Sequence, residues 1–461
     1  MNTHNKLALA ISALLIPLTM PSYATTTLSG DQLKDVHASW IKEGKDPDLI
    51  IKGSGGSIIV NASLELDKLT LTTSRRSSLK ISDGQTLTIK GFNISSSLGT
   101  LDAQNAKIVY DNSDLEPVDE KQQTGFNLSG IGSAILHEVE VTNNDANTVL
   151  TDKVTGNTGM YGLHAYNKKL TATNITITQE SSRYYPTISA FSAGSKSTKG
   201  EQTVNSSLTT HQVFHAGSEL DTPKKNAEEW LQKKGWVSTG TPESSARGIA
   251  LSSSKNLNLN IQTATIEQES EADLRLLGLY ASGDAGEMDI KFGTFIYRPK
   301  GTSSTEKGVL GWYVGAFSDE KGIGQSGIGK SKVSADTVDF SHAGIMNYGI
   351  RVESDDRKSL AQAIVNKEFI LGETSGDFVS AFEAIAHYQT SDDLTQGKNT
   401  AENKSEIHVH GKVVAELGEA QYIATSLGGG ATVNLDITDA DSKLQGRLLA
   451  QDGGVIDMTL G

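Results

Sequence analysis

Two apolar residues at alternate positions, a three-residue step, then two more: this staggered rhythm recurs seven times and constrains the fold more than any other feature of the chain. It runs Leu87, Ile89, Phe92, Ile94; then Leu101, Ala103, Ala106, Ile108; then Ala134, Leu136, Val139, Val141; then Leu170, Ala172, Ile175, Ile177. The later copies are Leu259, Ile261, Ala264, Ile266; Ile290, Phe292, Phe295, Tyr297; and Val333, Ala335, Val338, Phe340. Alternation at period two keeps one strand face inward, and the three-residue step lets the chain turn a corner and point inward again. Repetition of that unit winds the chain into stacked coils, an all-β parallel β-helix or solenoid. Abundant glycine (46 residues), scarce proline (8) and 6% aromatics suit short strands joined by tight turns around one long, quasi-one-dimensional core.

Residues 1–24 read as a cleaved secretory signal: Lys6, an apolar run from Leu7 to Ile16, a Pro17 break, and small residues before a junction at Ala24 and Thr25. The run is shorter than the roughly 20 residues needed to span a bilayer. Export through the inner membrane follows. The chain has no cysteine, either because few are used in bacterial exported proteins or because a second membrane crossing demands an unfolded chain. A formal net charge of −14 repels nucleic acid and anionic lipid, which excludes DNA or RNA as an expected partner.

Residues 25–49 are expected to form an N-terminal cap: Ser29 and Gln32 have capping-box spacing, Leu33, Val36 and Trp40 share one helical face, and Gly44 ends the helix. The β-helix then occupies residues 50–461. Within it "YGLHAYNKKLTATNITITQES" (161–181) aligns with "RGIALSSSKNLNLNIQTATIEQES" (247–270), and "LGLYASGDAGEMDIKFGTFIY" (277–297) follows the same plan. Gly162, Gly248, Gly278, Gly311 and Gly349 each start such a strand, the last four at a spacing in the solenoid range. Between the first two copies, residues 194–247 are expected to leave the stack as an excursion. Thr222 and Pro223 start a short helix there, Glu229 and Lys233 pair along it, and Gly235 ends it. Trp230 and Trp236 are its candidate binding residues.

Signal, absent cysteine, glycine-led coils and above all the closing "SKLQGRLLAQDGGVIDMTLG" (442–461) resemble passenger domains of bacterial autotransporters of the pertactin type. The resemblance implies a right-handed, single-stranded β-helix displayed at the cell surface or released, and a C-terminal outer-membrane β-barrel as its translocator. This sequence has no room for that barrel, so the expected translocator is missing from the chain and a periplasmic location is the alternative.

Chemical motifs are sparse. Asp355-Asp356 and Asp392-Asp393 are carboxylate doublets, but neighbours on a strand point to opposite faces. Arg298-Pro299-Lys300 fits a turn, and Gly283-Asp284-Ala285-Gly286 has alanine where a protease nucleophile belongs. His408 and His410 share a strand face without a nearby third ligand. No catalytic residue, cofactor or metal is expected. The reading is a non-catalytic adhesin or binding scaffold whose partner is a host-cell or matrix surface or a glycan. Two alternatives stand: a polysaccharide lyase or hydrolase on the same fold, and a truncated autotransporter fragment without independent function. Carboxylates or stacking aromatics from three successive coils on one groove would favour the enzyme.

Overall fold

In a chain without cysteine, burial and backbone pairing must carry stability, and parallel stacking of like strands supplies both. The computed structural model describes thirty strands between Thr26 and Leu460. It also describes residues 84, 215, 271, 329, 341–347, 359, 372–374 and 378–379, and the whole of 403–461. The chain is all-β, a parallel β-helix.

From Ser133 onward, long strands (Ser133–Asn144, Lys169–Ser181, Gly200–Phe214, Leu257–Ser270, Gly286–Pro299, Lys330–Phe340, Leu360–Leu371, Lys404–Glu416) alternate with short ones. The short ones are Gly159–Tyr166, Thr187–Gly194, Ser245–Ser252, Arg275–Ser282, Val309–Ala316, Tyr348–Ser354, Ser380–Ala386 and Tyr422–Leu427. Each pairs in parallel with the second strand along the chain. Every long strand bends in the middle and supplies two faces; the short strand supplies the third. Lys404–Glu416 makes this explicit, because its first half pairs with Ala431–Ile437 and its second half with Lys443–Gln445. Toward the N-terminus the continuous bend moves to another corner. Leu79, Leu101 and Ala134 follow the first face, Leu87, Ile108 and Val139 the second, and Asn93, Asn127 and His164 the third. Thr86–Ser95 therefore spans the second and third faces, whereas Ser133–Asn144 spans the first and second.

The corner within the long strands is built in two ways. With a three-residue step, a single left-handed residue makes the turn at Glu138 (φ 53°) and Asn174 (φ 54°). Asn174 Nδ2 donates to Glu138 Oε1 at 2.7 Å, and Ser207 Oγ donates to Asn174 Oδ1 at 3.0 Å, so the corner is tied from coil to coil. In the four-residue step from Val409 to Val413 a glycine makes the turn: Gly411 has φ 91°, and a Cβ there would overlap the Lys367 carbonyl oxygen.

The interior is one apolar column with two special runs. Gln179, Gln212 and Gln268 occupy inward positions where the rhythm demands apolar residues, and all three are fully buried. They satisfy one another: Gln212 Nε2 donates to Gln179 Oε1 and Gln268 Nε2 to Gln212 Oε1, both at 2.6 Å. Tyr297 pairs with Gln268 in the next coil, and burial pushes its hydroxyl far above the usual phenol range. Farther on, Phe295, Phe340, Phe369 and Phe382 form a continuous aromatic chain with centroid separations of 4.8, 5.7 and 4.5 Å. Despite the low aromatic content, this part of the core is aromatic.

Several expectations are corrected. Ser29 and Val36 are not helical: Thr26–Ser29 and Asp35–Val36 are strands in parallel register with Leu49–Lys52 and Ile59–Val60. The β-branched run Thr25, Thr26, Thr27 favours a strand, and the next coil offers its backbone groups partners. Coils thus begin before residue 50, inside the expected cap. The excursion is shorter than 194–247, because Gly200–Phe214 is a complete long strand held between Lys169–Ser181 and Leu257–Ser270. Residues 195–199 and 216–244 of the expected excursion lie outside the described residues. The two best-matched sequence copies therefore lie two coils apart. In the copy around Ile290, Phe292 is 48% exposed; the inward residues are Met288, Ile290, Gly293, Phe295 and Tyr297, in register with Leu259, Ile261, Ala264, Ile266 and Gln268. Ile108 aligns with Val139, one inward position earlier than the rhythm placed it. Residues 1–24 with the Ala24–Thr25 junction, the expected helix near 222–235, and Trp230 and Trp236 lie outside the described residues.

Candidate functional site on the short strands

A β-helix face becomes a site when its outward residues form something other than a solvated repeat. The short-strand face does. Its strands share a plan in which the second residue after the leading glycine, or after Ala190, Ala381 or Ile423 in its place, points outward. In successive coils that position holds His164, Ser192, Ala250, Tyr280, Tyr313, Arg351, Glu383 and Thr425, each in register with the next. The glycines themselves are forced by packing: a Cβ on Gly311 would overlap the Phe340 ring, and one on Gly278 would lie 2.6 Å from the Gly311 carbonyl oxygen.

Side chains along this row engage one another. The Arg247 guanidinium lies 3.6 Å from the Tyr280 ring centroid. Tyr280 and Tyr313 stack with centroids 5.6 Å apart and an interplanar angle of 14°. The Tyr313 hydroxyl donates to Glu353 Oε2 at 3.2 Å. Arg351 bridges two carboxylates, with Nη1 3.1 Å from Glu383 Oε2 and Nε 3.6 Å from Glu353 Oε2. Thr425 Oγ1 donates to Glu383 Oε1 at 3.4 Å. Beside this row, Leu277 and Leu310 are also in register and buried, although they lie outside the main core cluster.

Electrostatics follow from this packing. Burial raises the Glu383 carboxyl, and the Arg351 charge opposes the rise. Burial pulls the Arg351 guanidinium down, but Glu383 and Glu353, with Tyr348 and Tyr313, together leave it raised. The Tyr313 hydroxyl is pushed well above its usual range by burial, reinforced by the Glu353 charge.

Residues 145–158, 215–244 and 300–308 connect a long strand to the next short one, and 317–329 and 387–403 connect a short one to the next long one. The described corner within the long strands carries no insertion of that kind. Connections on a rigid scaffold are where binding residues gather, and in chain order all of these adjoin short strands.

The residues singled out from sequence behave otherwise. His408 and His410 have separate partners: His408 meets Asn434 at 3.0 Å and Glu406 at 3.5 Å, His410 meets Asp436 at 3.2 Å. Arg298 is bound to Glu267 and Glu269. Asp355-Asp356 and Asp392-Asp393 lie outside the described residues. Sequence reasoning missed the Tyr280–Tyr313–Arg351–Glu383 row. Tyr280, Tyr313 and Arg351 stand two residues after a strand glycine, which is a sequence signal, whereas Glu383 follows Ala381 and carries none.

No protein-family model, curated protein or solved structure matches this chain.

Proposed function

We propose that the chain is a non-catalytic binding scaffold, exported and displayed at the cell surface or released, which grips an elongated partner along the short-strand face. The observation that carries this reading is the connected row from Arg247 through Tyr280, Tyr313 and Arg351 to Glu383. Side chains already locked by mutual contacts lose little entropy when a partner binds. Tyrosine and arginine are the residue types that dominate binding surfaces. The resemblance of residues 442–461 to pertactin-type passengers supports surface display, with a host-cell surface, matrix or glycan as partner.

A polysaccharide lyase or hydrolase is the second reading, favoured by Glu383, whose carboxyl is raised by burial. Aromatics and carboxylates from successive coils do meet on this face, the arrangement expected of an enzyme. Their chemistry, however, is committed: Arg351 holds both carboxylates, and Arg247 and Tyr313 take up contacts of the Tyr280 ring.

Replacing Tyr280 and Tyr313 together by phenylalanine keeps the stack and removes both hydroxyls. Binding to cultured cell monolayers and to immobilised neutral and acidic glycans is expected to fall about tenfold, the effect of about 1.4 kcal/mol, with an unchanged circular dichroism spectrum. Undiminished binding by the double variant would remove this face from recognition. Release of reducing ends or unsaturated products from polysaccharides by the parent chain, lost in Glu383→Gln, would establish the enzyme instead.

A further inference from the structure

A second cluster stands on the outer side of the second face, where His211 lies in register with Glu267 on the neighbouring strand and Glu269 follows two residues along, on the same side. One donor atom from each of these three side chains lies within 4.8 Å of the other two. His211 Nε2 is shielded from solvent and makes no hydrogen bond, yet Glu269 Oε1 is 3.5 Å away. A shielded imidazole nitrogen facing two carboxylates without a hydrogen bond is an arrangement that a cation completes. We propose that His211, Glu267 and Glu269 bind a first-row divalent cation of the zinc type.

The geometry and the donor set agree. Ligand atoms about 2.0–2.1 Å from a tetrahedral zinc lie about 3.3–3.4 Å apart, and the His211–Glu269 separation of 3.5 Å is close to that edge. Imidazole with carboxylates suits zinc and its neighbours, whereas calcium takes an all-oxygen shell. All three ligands project from strands fixed by an unbroken ladder from Ser207 to Phe214, so small side-chain rotations bring them onto one ion. Three protein ligands leave a fourth position for water.

Arg298 is the resident counter-charge. Its Nη1 contacts Glu267 and lies 3.0 Å from Glu269, and the side chain is 52% exposed near the end of its strand. An exposed guanidinium can swing into solvent when a dication takes its place. The cation would then staple Gly200–Phe214 to Leu257–Ser270. Binding to the folded state alone would stabilise these coils in proportion to the logarithm of ion concentration.

The test is isothermal titration of the full chain with zinc chloride, followed by thermal unfolding with and without the ion. One zinc per chain is expected, with a raised unfolding temperature; His211→Ala abolishes both effects, and Arg298→Ala tightens binding about tenfold. His215→Ala is expected to leave binding intact, because its contact is with the single carboxylate of Glu180 at 2.6 Å. Calcium chloride is expected to give no saturable heat. Absence of zinc binding by the parent, or one-to-one binding that persists in His211→Ala, would overturn the proposal.

Discussion

Removal of residues 194–247 is expected to destroy the fold around the cut, whereas replacing only residues 216–244 by a short glycine-serine turn leaves the rod intact. The larger deletion removes the whole strand Gly200–Phe214 and with it the buried Val204, Leu208, Gln212 and Phe214. Ser181 and Ser270, which flank Phe214 in register, would have to meet directly. Gln179 and Gln268 lose the central member of their hydrogen-bonded run, and each buried amide left without a partner costs about 1–3 kcal/mol. In a solenoid each coil is stabilised by its neighbours, so the damage spreads along the stack. The smaller deletion touches no described contact of the core, and shortening a connection whose two ends rejoin the stack changes its closure entropy only slowly. Thermal unfolding followed by circular dichroism separates the two: a broad, early transition for the first variant and a parental transition for the second. A parental transition for both would contradict the assignment of Gly200–Phe214 to the coil.

Phe340→Ala is expected to be the most damaging single truncation, costing about 3–5 kcal/mol. Phe340 is buried at the centre of the aromatic chain, against Phe295 on one side and Phe369 on the other. Its ring also fills the space that the absent side chain of Gly311 leaves, so truncation opens a cavity from the second face to the third. Parallel ladders on both sides hold the backbone and limit collapse into that cavity. Urea denaturation should show a lowered midpoint with little change in slope. A midpoint within error of the parent would mean that the interior is loosely packed there.

How far the sequence revealed this molecule depends on which residues carried its signals. Where the corner is a three-residue step, as at Leu136 to Val139 or Ile261 to Ala264, strict periodicity finds the coil. Three coils use a four-residue step instead: Val204 to Leu208, Val365 to Phe369 and Val409 to Val413. The same search passes over all three. Gly200–Phe214 was further disguised by Gln202, Thr210 and Gln212 at inward positions; burial of the two glutamines is tolerable because a carbonyl and a glutamine of other strands receive their amides. Phe292 misled for the opposite reason, an aromatic residue at an outward position beside the inward Gly293, which makes room for Phe295. The N-terminal strands show that rhythm does not identify which two faces a bent strand spans. Only pairing does. The short-strand row was legible in part from the residues two after each glycine, but its meaning depends on contacts between coils, such as Arg247 with Tyr280, that local spacing cannot supply.

The claim that one face of this coil is the recognition surface can be tested directly because the chain has no native cysteine. Single cysteines placed at Tyr280 and Glu353 on the short-strand face, at Thr176 on a long strand and at Thr432 on Ala431–Ile437, which continues the first face, can each be coupled to a bulky maleimide and assayed for binding to cell monolayers. Coupling at Tyr280→Cys or Glu353→Cys is expected to block binding beyond the effect of the substitution itself, while coupling at Thr176→Cys or Thr432→Cys leaves it unchanged. Equal binding by all four labelled chains, or loss confined to the Thr176→Cys and Thr432→Cys labels, would contradict the assignment.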